Sequence, residues 1–364
     1  MTERGDRDSQ LNTLLRSVLN EPRLIATLRD ALVQHLLVAP QECEAFGVTA
    51  NTAEATVIER SHLLRQIYPQ VQQVWGDRPL HQQPLETLWR LWLPLALQLA
   101  TMQDKLDRPL IQGILGGQGT GKTTLAAMLK LILNQMGKQV CCLSLDDLYK
   151  TYADRQQLQQ ADPRLRWRGP PGTHDVNLGL QVLQRLRQGY LTEPIEIPRF
   201  DKSAWNGMGD RTTPERVSSI DILLFEGWFV GVRPTDPSAF DTAPSPIETE
   251  SDRQFARDCN ARLHDYVPLW DQLDHLMVLH PTDYRLSQQW RREAEQQMVA
   301  SGRSGMSDDE INQFVEYFWR SLHPQLFIEP LVQEAIVDLV VEINPDHTVG
   351  KIRGREKKEN FCLS

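Results

Sequence analysis

The spacing of apolar positions changes part-way along the chain. From about residue 10 to residue 105 they recur at helical intervals: Leu11, Leu14, Leu15 and Val18 share one face, and Leu85, Leu88, Trp92 and Leu95 share another. Pro22, Pro40 and the segment Asp77-Arg78-Pro79 punctuate this region, and Pro94 predicts a kink in its helix. Nothing in it predicts a strand, and its apolar stripes read as packing surface rather than chemistry.

At Leu110 short apolar runs begin to alternate with helical patterns. Runs at 110–115, 139–145, 221–225 and 276–279 predict buried strands, while 122–136, 176–188 and 283–300 predict helices. Strands that are apolar throughout, separated by helices, belong to a parallel sheet covered on both faces. The expected fold class is therefore α/β, a parallel sheet flanked by helices with a helical N-terminal region. The expected divisions are 1–105 (helical), 106–350 (sheet domain) and 351–364, a solvated tail with Arg355, Lys357 and Lys358. Residues 234–252, rich in Pro, Ser, Thr and acids, predict an exposed insertion. Ser307-Asp308-Asp309-Glu310 has a capping-box pattern and opens an amphipathic helix over 307–322.

Composition narrows the function classes. A 364-residue chain with net charge −9 can bury a large core, and its field repels nucleic-acid phosphates and anionic lipid. No nucleic-acid or membrane partner is expected. Five scattered cysteines match neither a zinc site nor a disulfide framework, which fits a reducing cytoplasm. The N-terminus is charged and lacks a signal peptide's apolar stretch, and the most apolar run, 91–100, is too short to span a bilayer. A soluble cytoplasmic monomer or homodimer is expected.

The strongest chemical signal is Gly116-Gly117-Gln118-Gly119-Thr120-Gly121-Lys122-Thr123, which matches G-x-x-x-x-G-K-[ST] between a predicted strand and a predicted helix. The glycines let consecutive N–H groups turn towards phosphate oxygens, and the helix N-terminus adds positive potential. Lys122 neutralises phosphate charge, and the Thr123 hydroxyl is placed to ligate Mg²⁺. With Thr124 these residues form the expected ATP site, and the sheet becomes a P-loop NTPase-type sheet. The dinucleotide fingerprint G-x-G-x-x-G fails, because its sixth position falls on Lys122 or Thr124.

Asp146 and Asp147 emerge at the C-terminal edge of the next strand, where α/β folds place ligands. A carboxylate there can accept the proton of an attacking hydroxyl. Glu226 ends a third apolar strand and is the expected second holder of Mg²⁺. Two glycine-rich polar segments, Arg168-Gly169-Pro170-Pro171-Gly172-Thr173-His174-Asp175 and Pro198-Arg199-Phe200-Asp201-Lys202-Ser203-Ala204-Trp205 with Arg211 beyond, suit a small polyhydroxylated or carboxylate acceptor. Tyr149, Asp147, His174, Asp175, Arg199, Lys202 and Arg211 are the expected acceptor residues, with Asp175 also fit to cap a helix. Arg291, on a helix carrying several arginines, is the expected lid cation.

These segments resemble the D-glycerate 3-kinase family of plants, fungi and cyanobacteria, related to uridine kinase, phosphoribulokinase and bacterial pantothenate kinase. The P-loop, Ser144-Leu145-Asp146-Asp147-Leu148-Tyr149, Gly172-Thr173-His174-Asp175, Phe200-Asp201-Lys202-Ser203-Ala204, Gly209-Asp210-Arg211, Leu224-Phe225-Glu226-Gly227-Trp228, Trp290-Arg291 and Gly305-Met306-Ser307-Asp308 carry the resemblance in one consistent order. It implies ATP-dependent phosphorylation of D-glycerate to 3-phosphoglycerate, as in photorespiratory carbon salvage, with Asp146 as general base. Phe200 stands where the family pattern leads us to expect Tyr, and Arg292 where an apolar residue is expected. The alternatives are a kinase of the same group acting on uridine, pantothenate or a sugar phosphate, and a non-catalytic ATP-binding regulator.

Overall fold

The computed structural model describes residues 3–75, 84–300, 302 and 305–355. Asp77-Arg78-Pro79, Lys357 and Lys358 lie outside them. Helices Glu3–Asn20, Ala26–Leu37, Pro40–Ala45 and Ala53–Trp75 make up most of the N-terminal region. A further helical run leads from Leu85 to Gln103. Where Pro94 predicts a kink, this run widens into a π turn, Leu88–Trp92, and the Leu93 N–H donates to Leu88 O. Such a turn is one way a helix absorbs a residue with no N–H of its own.

Among the described residues eight strands follow: β1 (Leu110–Gly116), β2 (Val140–Ser144), β3 (Ile195–Asp201), β4 (Asp210–Val217), β5 (Ile222–Gly227), β6 (His275–Pro281), β7 (Leu339–Ile343) and β8 (Val349–Gly354). Six form one sheet in the order β2-β5-β1-β6-β7-β8, parallel except for β8. β1 and β5 are buried at every position, as covered parallel strands should be. The four predicted strands are β2, β5, β1 and β6, side by side. Their C-terminal ends, with β1 between neighbours on either hand, form the crevice where ligands of open α/β sheets bind.

β3 and β4 pair as a separate antiparallel hairpin, Phe200 opposite Arg211 and Asp201 opposite Asp210. The sequence reading has polar loop here, because within the hairpin strands only Ile197 and Pro198 are buried and no apolar run marks them. Two further expectations change. The segment 234–252 is exposed over much of its length, but it holds a short 3₁₀ turn, Pro237–Phe240, and is anchored in the core by Phe240 and Ile247. The tail expected from residue 351 overlaps β8, which is paired with β7.

One core unites the N-terminal helices with the sheet: Leu15, Leu32, Leu64 and Leu88 share a buried cluster with Leu125 and Leu129 of the P-loop helix Lys122–Gln135 and with Val341 and Ile352 of β7 and β8. A polar clamp reinforces the join. Arg90 pairs with Glu42 and with Glu86 (2.6 Å), and it donates to the carbonyls of Val349 (3.2 Å) and Gly350 (2.8 Å) on β8. Its side chain is only 10% exposed, and that of Glu42 16%. Removing the cation would strand a largely buried carboxylate, so Arg90→Ala is expected to lower unfolding free energy by about 3 kcal/mol in urea titration.

Candidate active site

The P-loop starts where β1 ends. Gly119 and Gly121 take left-handed φ values of 78° and 85°, and Gly121 turns the chain into the helix that Lys122 opens. Gly119 is required for space as well, since a Cβ there would lie 2.5 Å from Cβ of Trp290. Trp290 belongs to the helix Leu286–Ala300, donates to Pro345 O (3.0 Å) and stacks on His347 (4.8 Å). His347 Nδ1 in turn lies 3.1 Å from Gly119 O. The phosphate loop is thus held from outside by this helix and the turn between β7 and β8.

Lys122, Thr123, Asp146, Tyr149, Lys202, Glu226 and Arg291 line one cleft of about 780 Å³ at the sheet's C-terminal edge, together with Gln118 and Gly119. Two acids meet there because β2 and β5 are neighbours with Ser144 opposite Glu226. Burial pushes the Asp146 carboxyl up, but Lys202 Nζ at 2.6 Å, a hydrogen bond from Tyr149 and the charge of Lys122 together hold it below its usual range. Glu226 is less well served. Burial raises its pKa against the pull of Lys122 and a hydrogen bond from Ser144, and Oε2 is buried without a partner. A bare carboxylate oxygen in the same cleft as the Thr123 hydroxyl fits a hard cation that also takes phosphate oxygens. No group of three or more His, Cys, Asp or Glu among the described residues could hold a metal by itself. A cation here would complete its shell with oxygens from outside the protein, from phosphate or water.

Arg291 is pre-set by its neighbours. It pairs with the buried Glu295 (2.5 Å) and lies over the ring of Phe314 (5.1 Å), while Glu295 also accepts from Met306 N (3.0 Å).

Five expected acceptor residues lie outside the cleft lining and serve its framework. Asp147 accepts from Ser144 N (3.0 Å), Phe200 N (3.3 Å) and Arg199 Nη1 (3.1 Å), tying the β3–β4 hairpin to the end of β2. Arg199 is occupied further by Cys142 O (3.0 Å) and Glu215. Asp175 caps the helix Val176–Arg187 and pairs with Arg211 (2.7 Å), which also donates to Tyr149 O (3.0 Å). His174 is buried with its ring stacked on Tyr149 (4.6 Å). The Tyr266 hydroxyl accepts from Gly172 N (2.9 Å) and is hydrogen-bonded to His174 Nδ1 at 2.8 Å. Burial lowers the His174 pKa to about 3, leaving a neutral ring that backs Tyr149.

No family model matches the chain. It is 32% identical over 250 residues to a chloroplastic D-glycerate 3-kinase of Arabidopsis thaliana, a match covering 65% of this chain and 52% of that one. The chain thus spans about half the length of that relative. It is 33% identical over 219 residues to an uncharacterized kinase, mug58, of Schizosaccharomyces pombe, covering 58% of this chain and 79% of that one. Among solved structures it resembles a D-glycerate 3-kinase of Cryptococcus neoformans, with a TM-score of 0.60 and 28% identity over 71% of this chain and 96% of that one. The chain belongs with these P-loop kinases and resembles the D-glycerate 3-kinases among them.

Sequence reasoning missed Arg155 and Arg168 as cleft-lining groups, and His347 as a brace for the P-loop. Arg168 opens a segment already singled out, but nothing in the sequence marks which arginines lack a carboxylate partner. No helix among the described residues is long and apolar enough to cross a membrane.

The poorly compensated Glu226 gives a stability prediction. Its folded pKa lies above its unfolded value, so the ionised form destabilises the folded state above the folded pKa. That penalty fades as pH falls through the folded pKa towards the unfolded one. Glu226→Gln is therefore expected to raise the Tm of ligand-free protein at neutral pH, with the gain shrinking on acidification. A thermal-melt series in pH checks this.

Proposed function

We propose that the protein transfers the γ-phosphoryl group of ATP to the 3-hydroxyl of D-glycerate, giving 3-phospho-D-glycerate. The observation that carries this reading is Asp146: an ionised carboxylate, steadied by Lys202 and Tyr149, in the same cleft as the P-loop lysine. A nucleotide switch needs no base beside its γ-phosphate, whereas a kinase does. Asp146 accepts the proton of the attacking hydroxyl. Lys122 and Arg291 supply positive charge where negative charge gathers on the transferring group. Thr123 and Glu226 would hold the Mg²⁺ that comes with ATP, whose contribution is to neutralise phosphate charge. Similarity to two proteins named D-glycerate 3-kinase supports the choice of acceptor.

ADP release from MgATP is expected to rise strongly when D-glycerate is added, with 3-phospho-D-glycerate as product. Stimulation by uridine or pantothenate instead would discard the acceptor and keep the kinase. ATP turnover indifferent to every acceptor would favour the regulator. Asp146→Asn is expected to retain MgATP binding and lose about 10²-fold or more in kcat, the scale of a lost general base.

A further inference from the structure

The arginines nearest the acceptor segments mostly end on acids: Arg199 on Asp147 and Glu215, Arg211 on Asp175. Arg155 and Arg168 do not. Among the described residues their hydrogen bonds go to backbone carbonyls in the hairpin turn: Arg155 to Met208 and Gly209, Arg168 to Gly207 and Met208. The two guanidinium groups converge on one oxygen, Met208 O, at 2.9 and 3.0 Å. Both lie against the same Phe200 ring, 5.2 and 5.7 Å from its centroid.

Two like charges have thus been brought together with only neutral acceptors between them, and both line the cleft. The nearby acid, Asp210, is taken up by Tyr152 N, Arg211 N and Trp205 Nε1, each at 2.9 Å. Burial, and after it the charge of Arg168, lowers the Arg155 pKa, and Arg155 Nε is buried without a partner. Paired guanidinium groups with unspent donors are matched by a carboxylate or phosphate, which relieves their repulsion and accepts in a forked geometry. The pair is also close to the chemistry. Arg168 lies 5.9 Å from the centroid of the Tyr149 ring, and the Tyr149 hydroxyl bonds to Asp146.

We propose that Arg155 and Arg168 form an anion receptor on the acceptor side of the cleft, one aromatic ring away from the general base. Its anion is the acceptor's own carboxylate, an assignment that rests on the kinase reading above; the receptor itself does not. The receptor makes the enzyme choose acids over uncharged polyols. It demands an anionic group a few bonds from the attacked hydroxyl, as in a short hydroxy acid.

The experiment fills the P-loop and its γ-phosphate position with a non-hydrolysable MgATP analogue, so that phosphate-like anions cannot bind there, and titrates inorganic sulfate by calorimetry. The wild type is expected to bind one sulfate. Arg155→Gln and Arg168→Gln are expected to weaken it roughly 10- to 100-fold, the range of a lost charge-assisted contact. Arg216→Gln, an exposed hairpin control, leaves it unchanged, and undiminished affinity for the MgATP analogue in every variant shows that the fold holds. In turnover, both Gln variants raise KM for D-glycerate far more than they lower kcat, and the preference for D-glycerate over glycerol collapses. Arg168→Lys restores part of that preference, which loss of a turn-holding contact alone would not do. Sulfate binding equal in wild type and both variants, or absent from the wild type, overturns the proposal. Sulfate binding that behaves as expected in a protein that never phosphorylates D-glycerate leaves the receptor standing and removes the acceptor.

Discussion

The site turns on keeping two carboxylates charged in a place partly withdrawn from water. Asp146 and Glu226 leave neighbouring strands in register and share the field of a single P-loop lysine. The protein resolves the two differently. Asp146 receives a lysine and a tyrosine hydroxyl and stays ionised, the state in which it can take a proton. Glu226 is left with one oxygen bare, the state in which it gains most from a cation. Much of the surrounding polar network exists to hold this difference. Asp147 and Arg199 lock the turn that presents Asp146, while Arg211 and His174 hold Tyr149 from its backbone and its ring face.

This division explains what could be read in the sequence. Lys122 and Thr123 are legible from the glycine-rich motif that follows β1, and Asp146 and Glu226 because each closes or follows an apolar run at a strand end, patterns set by one-dimensional spacing. Charged residues that hold the framework look the same in sequence as charged residues that face the cleft. Asp147 differs from Asp146 only by pointing to the hairpin, and Arg199 differs from Arg168 only in having acids within reach. Those facts depend on how β3 and β4 fold back, and this hairpin carries no apolar signature to announce itself. β8 was hidden for a related reason: its alternating, polar-rich sequence resembles a tail until the edge of β7 is there to receive it.

The N-terminal helices belong to the same economy of burial. Pro40–Ala45 packs on β8, and Arg90 ties that strand's carbonyls to two N-terminal acids. The layer seals the far edge of the sheet and presses on the helix that opens at Lys122. Its cost of ordering is thereby coupled to the rigidity of the phosphate loop, although none of its described residues lines the cleft.

Gly119 is held to glycine twice over, by a backbone angle that disfavours side chains and by the Trp290 side chain packed where a Cβ would stand. The two constraints are independent, and this shapes how the site can change over evolutionary time. Trimming Trp290 would make room at position 119 but leave the angle intact; relaxing the angle would leave the tryptophan in the way. No single substitution in the helix that carries Trp290 can release the loop, so position 119 stays fixed even where the helix's solvent-facing residues change.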